Sequence, residues 1–163
     1  MRKVILVFLV IFLVGCGNQE KVNERRPLES IDDLEIVDSN HMDVSNLTIK
    51  EVDVVDETSE GGVIRGFYNE GTLIKLNTVY FGTIGKVEYD VYLYHNIWMV
   101  RVTEYNYSAP IGNGDTMISS SLTKEFVIEN DDTYYVHNEV LKPYNNDSIY
   151  KIIKGMIASL DNN

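Results

Sequence analysis

"KVEYDVYLYHNIWMVRV", residues 86–102, alternates apolar and polar side chains on both sides of a central His95-Asn96. Period-two alternation marks a half-buried strand, and two such runs joined by two turn residues make a hairpin. The turn sets the register. Tyr94 opposes Ile97, Leu93 opposes Trp98, Tyr92 opposes Met99, Val91 opposes Val100, Asp90 opposes Arg101, and Tyr89 opposes Val102. One face then carries Val87, Tyr89, Val91, Leu93, Trp98, Val100 and Val102. A slip of one residue would turn this whole set outward, so the pattern itself specifies the pairing. The other face places Asp90 beside Arg101, an opposite-charge pair worth about 0.2–1 kcal/mol.

The same reading extends in both directions. Upstream, "GVIRGFY", "TLIKLNTVYF" and the first half of the hairpin are strand-like runs separated by the turn clusters "NEG" and "GTIG". Gly71 and Gly85 fall where a tight turn calls for a positive φ. "LTIKEVDVV", from Leu47, changes phase at Glu51-Val52, which suggests a bulge or bend. Downstream lies "SAPIGNGDTMISSS", residues 108–121, read as the longest loop of the domain, and loops of that length are often functional. "TKEFVIE" and "TYYVHNEVLKPY" flank the turn "NDD" and give a further hairpin with a short final strand.

The chain closes with "SIYKIIKGMIASL", in which Ile149, Ile152, Ile153, Met156, Ile157 and Leu160 recur at helical spacing. They form one apolar helix face, with Asn146 or Asp147 as its cap. The expected fold is mainly β (α+β): an antiparallel β-meander sheet with one C-terminal amphipathic helix packed on one of its faces.

The N-terminus reads differently. Arg2 and Lys3 precede 11 unbroken apolar residues, Val4 to Val14. A membrane-spanning helix needs about 20 such residues, whereas the core of a signal peptide needs about 7–15. Leu13-Val14-Gly15-Cys16 looks like a bacterial lipobox, whose cysteine is lipidated and becomes the first mature residue. The chain is thus expected to divide into a cleaved signal peptide (1–15), a lipidated Cys16 with a flexible tether (16–46), and a single β domain (47–163). Residues 17–29 are almost wholly polar, and 30–46 carry only thinly spread apolar residues, read as irregular or as a short helical turn.

Removing residues 1–15 leaves 12 Lys and Arg against 25 Asp and Glu, a formal charge of −13. That balance disfavours nucleic acid and anionic lipid headgroups and favours basic partners. Cys16 is the only cysteine, so no disulfide can form within the chain.

Three stretches share an aromatic or β-branched residue, an Asn-containing turn and an apolar strand: "FYNEGTLIKL" from Phe67, "LYHNIWMVRV" from Leu93 and "YVHNEVLKPY" from Tyr135. With "SEGGVIRGFYNEGTLIKL", "VYFGTIGKVEYDVYLYHN" and "TEYNYSAPI", they carry a resemblance over about residues 59–111. The chain resembles a group of small, uncharacterised bacterial lipoproteins of a kind frequent in Bacteroidetes. More loosely, it is similar to MORN-type tyrosine–glycine repeats. The second and third turns lack the glycine of the first. The resemblance implies architecture and adds no chemistry.

No residue pattern points to catalysis. His41, His95 and His137 are scattered, and "ENDDT" (129–133) lacks the alternation of a calcium loop. "GNGD" (112–115) has no following Lys-Ser/Thr, and "SSS" (119–121) lacks a nucleophile elbow. The chain is therefore expected to be no enzyme and to need no metal or cofactor. The aromatic residues offer more. Tyr92, Tyr94, Met99, Tyr105 and Tyr107, with Ile97, fall on the sheet face away from Trp98, beside the 108–121 loop. If the helix covers the other face, they form a candidate binding surface for a basic protein or a glycan. The expected role is a lipid-anchored binding module of the cell envelope, attached to the membrane through Cys16. The alternative is an acidic inhibitor or immunity-type lipoprotein that neutralises a basic enzyme such as a lysozyme.

Overall fold

The computed structural model describes residues 46–55, 58–94, 96–112 and 116–162. The signal peptide, Cys16, His41, His95 and nearly all of the tether lie outside these residues. Eight strands follow in order: β1 (Thr48–Val54), β2 (Gly62–Asn69), β3 (Thr72–Gly82), β4 (Gly85–Tyr94), β5 (Ile97–Tyr107), β6 (Ile118–Glu129), β7 (Asp132–His137) and β8 (Val140–Pro143). They form one antiparallel sheet in which each strand pairs with its sequence neighbour, β1 through β8. One helix, α1 (Ser148–Asp161), follows.

The central hairpin has the register read from the alternation, from Tyr94↔Ile97 to Tyr89↔Val102. The three Asn-containing repeats are the β2–β3, β4–β5 and β7–β8 hairpins. Tight turns force unusual backbone angles. Glu70 and Gly71, Asn130 and Asp131, and Asn138 and Glu139 all have positive φ, as a two-residue hairpin turn with both central residues left-handed requires. "NEG" and "NDD" are therefore two-residue turns, with Asn69↔Thr72 and Glu129↔Asp132 as the closing pairs.

Side chains from successive strands line up in transverse rows, and the helix-side rows make the core. The central one runs Gly66, Leu76, Val91, Val100, Phe126. Leu76 and Val91 are wholly buried there. Ile153, Met156 and Leu160 of α1 close this core from above, together with Ile64, Val102 and Ile128 of the sheet. A helix of this length is marginal alone in water. Burying each large apolar side chain contributes about 1.5–3 kcal/mol, so these three contacts hold α1 in place. The helix sits very close to β2. A Cβ on Gly66 would lie 2.7 Å from Leu160 Cδ1 and 2.9 Å from Tyr68 Cε2.

Several sequence expectations are corrected. β1 pairs with β2 without a slip, and the irregularity lies instead between Phe67 and Tyr68 on the β2–β3 side. The phase change in β1 is a change of apolar face. Ile49 opposes Phe67 on the outer face, whereas Val52 and Val54 join the helix-side core. Gly85 is needed for space rather than for φ, since a Cβ there would collide with the Tyr105 carbonyl oxygen. The 108–121 loop is shorter than its composition suggests, because Ile118 to Ser121 belong to β6. There the backbone of β5 overrides weak strand propensity. Tyr105 pairs with Ser121, Asn106 pairs with Ser120, and Ser119 Oγ donates to the Asn106 carbonyl at 3.1 Å.

The helix face also shifts. Ile152 is 37% exposed at the flank, and Tyr150 packs against the core in its place. Asn146 does the capping, its Oδ1 accepting from the Ser148 amide at 2.9 Å, while Asp147 pairs with Lys151 one turn on.

Tyr68 carries an unusual cost. Its ring packs beside Gly66 under Leu160, and its buried hydroxyl has no hydrogen-bond partner. Loss of surrounding water, with a smaller contribution from Asp161, holds its pKa above the ordinary tyrosine value. An unpaired buried hydroxyl costs about 1–3 kcal/mol, so Tyr68→Phe is expected to stabilise the fold by about 1 kcal/mol. The check is the urea midpoint at constant slope; a lower midpoint would show that the hydroxyl is satisfied.

Candidate functional site

Helix α1 covers one face of the sheet, and the other face, outer to the core, displays the side chains of every second residue. Pairing across the strands arranges them in rows. One row runs Ile49, Phe67, Lys75, Tyr92, Met99, Val127, Tyr134. Beyond it, at the turn end, lie Tyr94 and Ile97, with Tyr94 51% exposed. On the other side comes a charged row of Glu51, Arg65, Asn77, Asp90, Arg101 and Glu125. Then follow Glu88, Thr103 and Thr123, and beyond these Lys86, Tyr105 and Ser121.

This order divides the five predicted surface residues. Tyr92, Tyr94 and Met99 form one group with Phe67 and Lys75. Tyr105 stands three rows away along β5, about 20 Å at a strand's rise per residue, and Tyr107 lies farther still. The predicted tyrosine face is thus two patches with a polar belt between them. The belt is internally paired. Arg65 bonds Glu51 at 2.5 Å, Asn77 Nδ2 donates to Asp90 at 2.9 Å, and Arg101 pairs with Glu125 at 2.9 Å. Asp90 does lie opposite Arg101, yet the guanidinium turns to β6 rather than β4. Arg101 has a carboxylate on each side, and this choice leaves Asp90 free to accept from Asn77.

In the first patch, Lys75 lies between two rings, 4.9 Å from the Tyr92 centroid and 5.6 Å from that of Phe67. A cation over an aromatic face is attracted by the ring quadrupole, which fixes the lysine flat along the row. Toward β8, the outer face closes on itself. Val127 and Leu141 are buried in a second small apolar cluster with Ile97, Tyr134 and Val136. A narrow cleft beside it is lined by Tyr92, Met99, Arg101, Glu125 and Val136. Burial, then Asp132 and Glu129, raise the Tyr134 pKa.

The second patch is more constrained. Lys86 Nζ sits 4.7 Å from the Tyr105 ring centroid and bonds Glu88 at 2.6 Å. The hydrogen bond to Glu88 raises the lysine pKa, and desolvation, then Glu88, raise that of Tyr105. Beyond it, Ile84, Met117 and Ile118 are more than half exposed at the tip of the sheet.

Residues the sequence reading passed over are Phe67, Lys75 and Tyr134. Lys75 was reachable: a two-residue Thr83-Ile84 turn closing on Gly82↔Gly85 places Lys75 opposite Tyr92. His137 stacks on Tyr135 at 6.3 Å, and among the described residues no three His, Cys, Asp or Glu side chains converge as a metal site would need. Among the same residues, no helix is long and apolar enough to cross a membrane. No family model, curated protein or solved structure matches the chain.

Proposed function

We propose that the chain is a lipid-anchored, non-catalytic binding module of the cell envelope, held by lipid on Cys16 and presenting its outer sheet face to a macromolecular partner. The observation that carries this reading is the one-sided cover. The helix packs on the Trp98 face, and the row of Phe67, Lys75, Tyr92 and Met99 on the other face, which no helix covers, keeps part of its surface exposed. Rigid aromatic side chains of this kind make good anchors, because they offer large apolar area with few rotors to immobilise.

A second reading, the acidic inhibitor of a basic enzyme, is favoured by the −13 charge of the mature chain. The outer face argues against it as the contact, since its belt pairs Glu51 with Arg65 and Arg101 with Glu125. The surplus acid lies elsewhere.

Tyr92→Ala combined with Met99→Ala is expected to weaken capture of the partner from an envelope extract by at least about 30-fold, the size of a typical hot-spot loss of 2 kcal/mol. The fold should persist, as read by circular dichroism, and Tyr105→Ala with Tyr107→Ala should change capture little. Equal recovery by wild type and the Tyr92/Met99 variant would sink the outer-face reading. Capture that persists at high salt fits the aromatic module, whereas capture lost with salt would shift the role to the electrostatic inhibitor.

A further inference from the structure

At one end of the sheet, the β4–β5 and β6–β7 turns meet the first turn of α1. Asn96, Asn130, Asp131, Trp98 and Tyr150 wall an open cleft there, floored by the buried Ile128. It encloses about 440 Å³, within the range of about 300–1,000 Å³ usual for small-ligand sites. The cleft lies on the helix side of the sheet, away from the outer-face patch, so its function is independent of the one proposed above.

The walls are built rather than incidental. Trp98 and Tyr150 stack with centroids 5.7 Å apart and planes inclined by 22°. Both rings remain partly exposed, so they offer one composite aromatic wall. The two turns are tied together by Asn96 Nδ2 donating to Asn130 Oδ1 at 2.9 Å. Asp131 stands beside Tyr150, and its carboxylate raises the tyrosine pKa. Asn130 and Asp131 sit in left-handed backbone, fixed by the strand pair Glu129↔Asp132 on either side.

The chemistry selects the ligand. Lys154 Nζ lies 5.4 Å from both ring centroids but does not line the cleft, so its charge stands behind the aromatic wall and leaves the cleft side open. That ammonium repels an incoming cation without occupying the ligand's place. An anion would meet Asp131 at the wall and an acidic protein around it. What the cleft offers is an apolar aromatic wall flanked by amides, which donate and accept, and by a carboxylate, which accepts. A sugar ring matches this, with C–H groups on one face and hydroxyls around its rim. We propose that this cleft is a binding site for an uncharged saccharide, with Trp98 and Tyr150 stacking the ring and Asn96, Asn130 and Asp131 bonding its hydroxyls.

Trp98 is the only tryptophan of the chain, so fluorescence excited at the red edge, where tyrosine does not absorb, reports on the cleft. The purified full chain is titrated with chitotriose and with maltotriose, and a saturable change in Trp98 emission is expected with at least one of them. Asn96→Ala combined with Asn130→Gly removes both amides, and glycine keeps the left-handed turn available. This variant should bind at least about tenfold more weakly, a loss of 1.4 kcal/mol, with its fold retained by circular dichroism. If the double variant fails to fold, Asn130→Gly alone carries the comparison. No saturable response to either trisaccharide up to about 10 mM overturns the proposal, as does unchanged affinity in the variant. A response to trilysine that displaces the saccharide and fades with salt would overturn it too, and would make the cleft a cation site.

Discussion

Leu160→Ala is expected to destabilise the domain by about 2–5 kcal/mol, the largest effect of any single truncation on α1. Leu160 is wholly buried at the C-terminal end of the helix, where it seats on β2 over Gly66. Removing it deletes apolar contacts and leaves a cavity between helix and sheet, because the close backbone approach at Gly66 cannot easily tighten further. Gly66→Ala acts in the opposite sense at the same place. Its new methyl would stand 2.7 Å from Leu160 Cδ1, and overpacking of this kind costs about 1–3 kcal/mol. In the double variant, the Gly66→Ala methyl enters the space the leucine vacated. The pair should therefore cost less than the sum of the single changes, by at least about 1 kcal/mol. Urea midpoints of the four proteins, at equal slopes, close the cycle. Additivity within about 0.5 kcal/mol would show that Tyr68 or Leu73, rather than Leu160, gives way to the added methyl.

Cys16→Ser is expected to abolish lipid attachment entirely. The argument is one of length and chemistry: 11 apolar residues are too few to span a bilayer, and they end on Leu13-Val14-Gly15-Cys16. One acyl chain gives only marginal membrane binding, whereas two give stable anchoring. A diacylglyceryl group on the Cys16 thiol would supply two. Serine offers no thiol, so the chain should take up no labelled palmitate. It should also run as unprocessed precursor or be released from washed membranes. Labelling that is unchanged in the variant would refute the anchor. The saccharide and outer-face proposals would survive that result, since neither depends on where the protein is tethered.

The arrangement of the strands was legible because five of the seven connections between strands are only two residues long. Where two residues join two strands, pairing with the sequence neighbour costs little chain entropy and the turn sets the register. The hairpin around Asn96 could be laid out pair by pair, and the helix could be recognised by its 3.6-residue period. Signals failed where backbone needs outweighed side-chain preference. Ser119, Ser120 and Ser121 read as loop residues, yet the unpaired edge of β5 recruits them. Glu51-Val52 read as a bulge or bend because a flat change of apolar face leaves the same trace in sequence as an inserted residue.

The sequence by itself determined the antiparallel order, the central register and the helix, because local periodicity and turn length are enough to specify them; that the helix takes the Trp98 face was decided by packing. Tertiary structure alone decided what those faces present. Whether Arg101 turns to Asp90 or to Glu125 depends on which strand supplies the better acceptor geometry, and Arg101 lies opposite both. The division of the tyrosines into two patches appears only when five strands stand side by side and their rows can be followed across the sheet. The Trp98–Tyr150 cleft joins residues 52 positions apart. It arises because α1 crosses back over the sheet at one particular end, and the close contact of Leu160 with Gly66 helps to fix where that crossing falls.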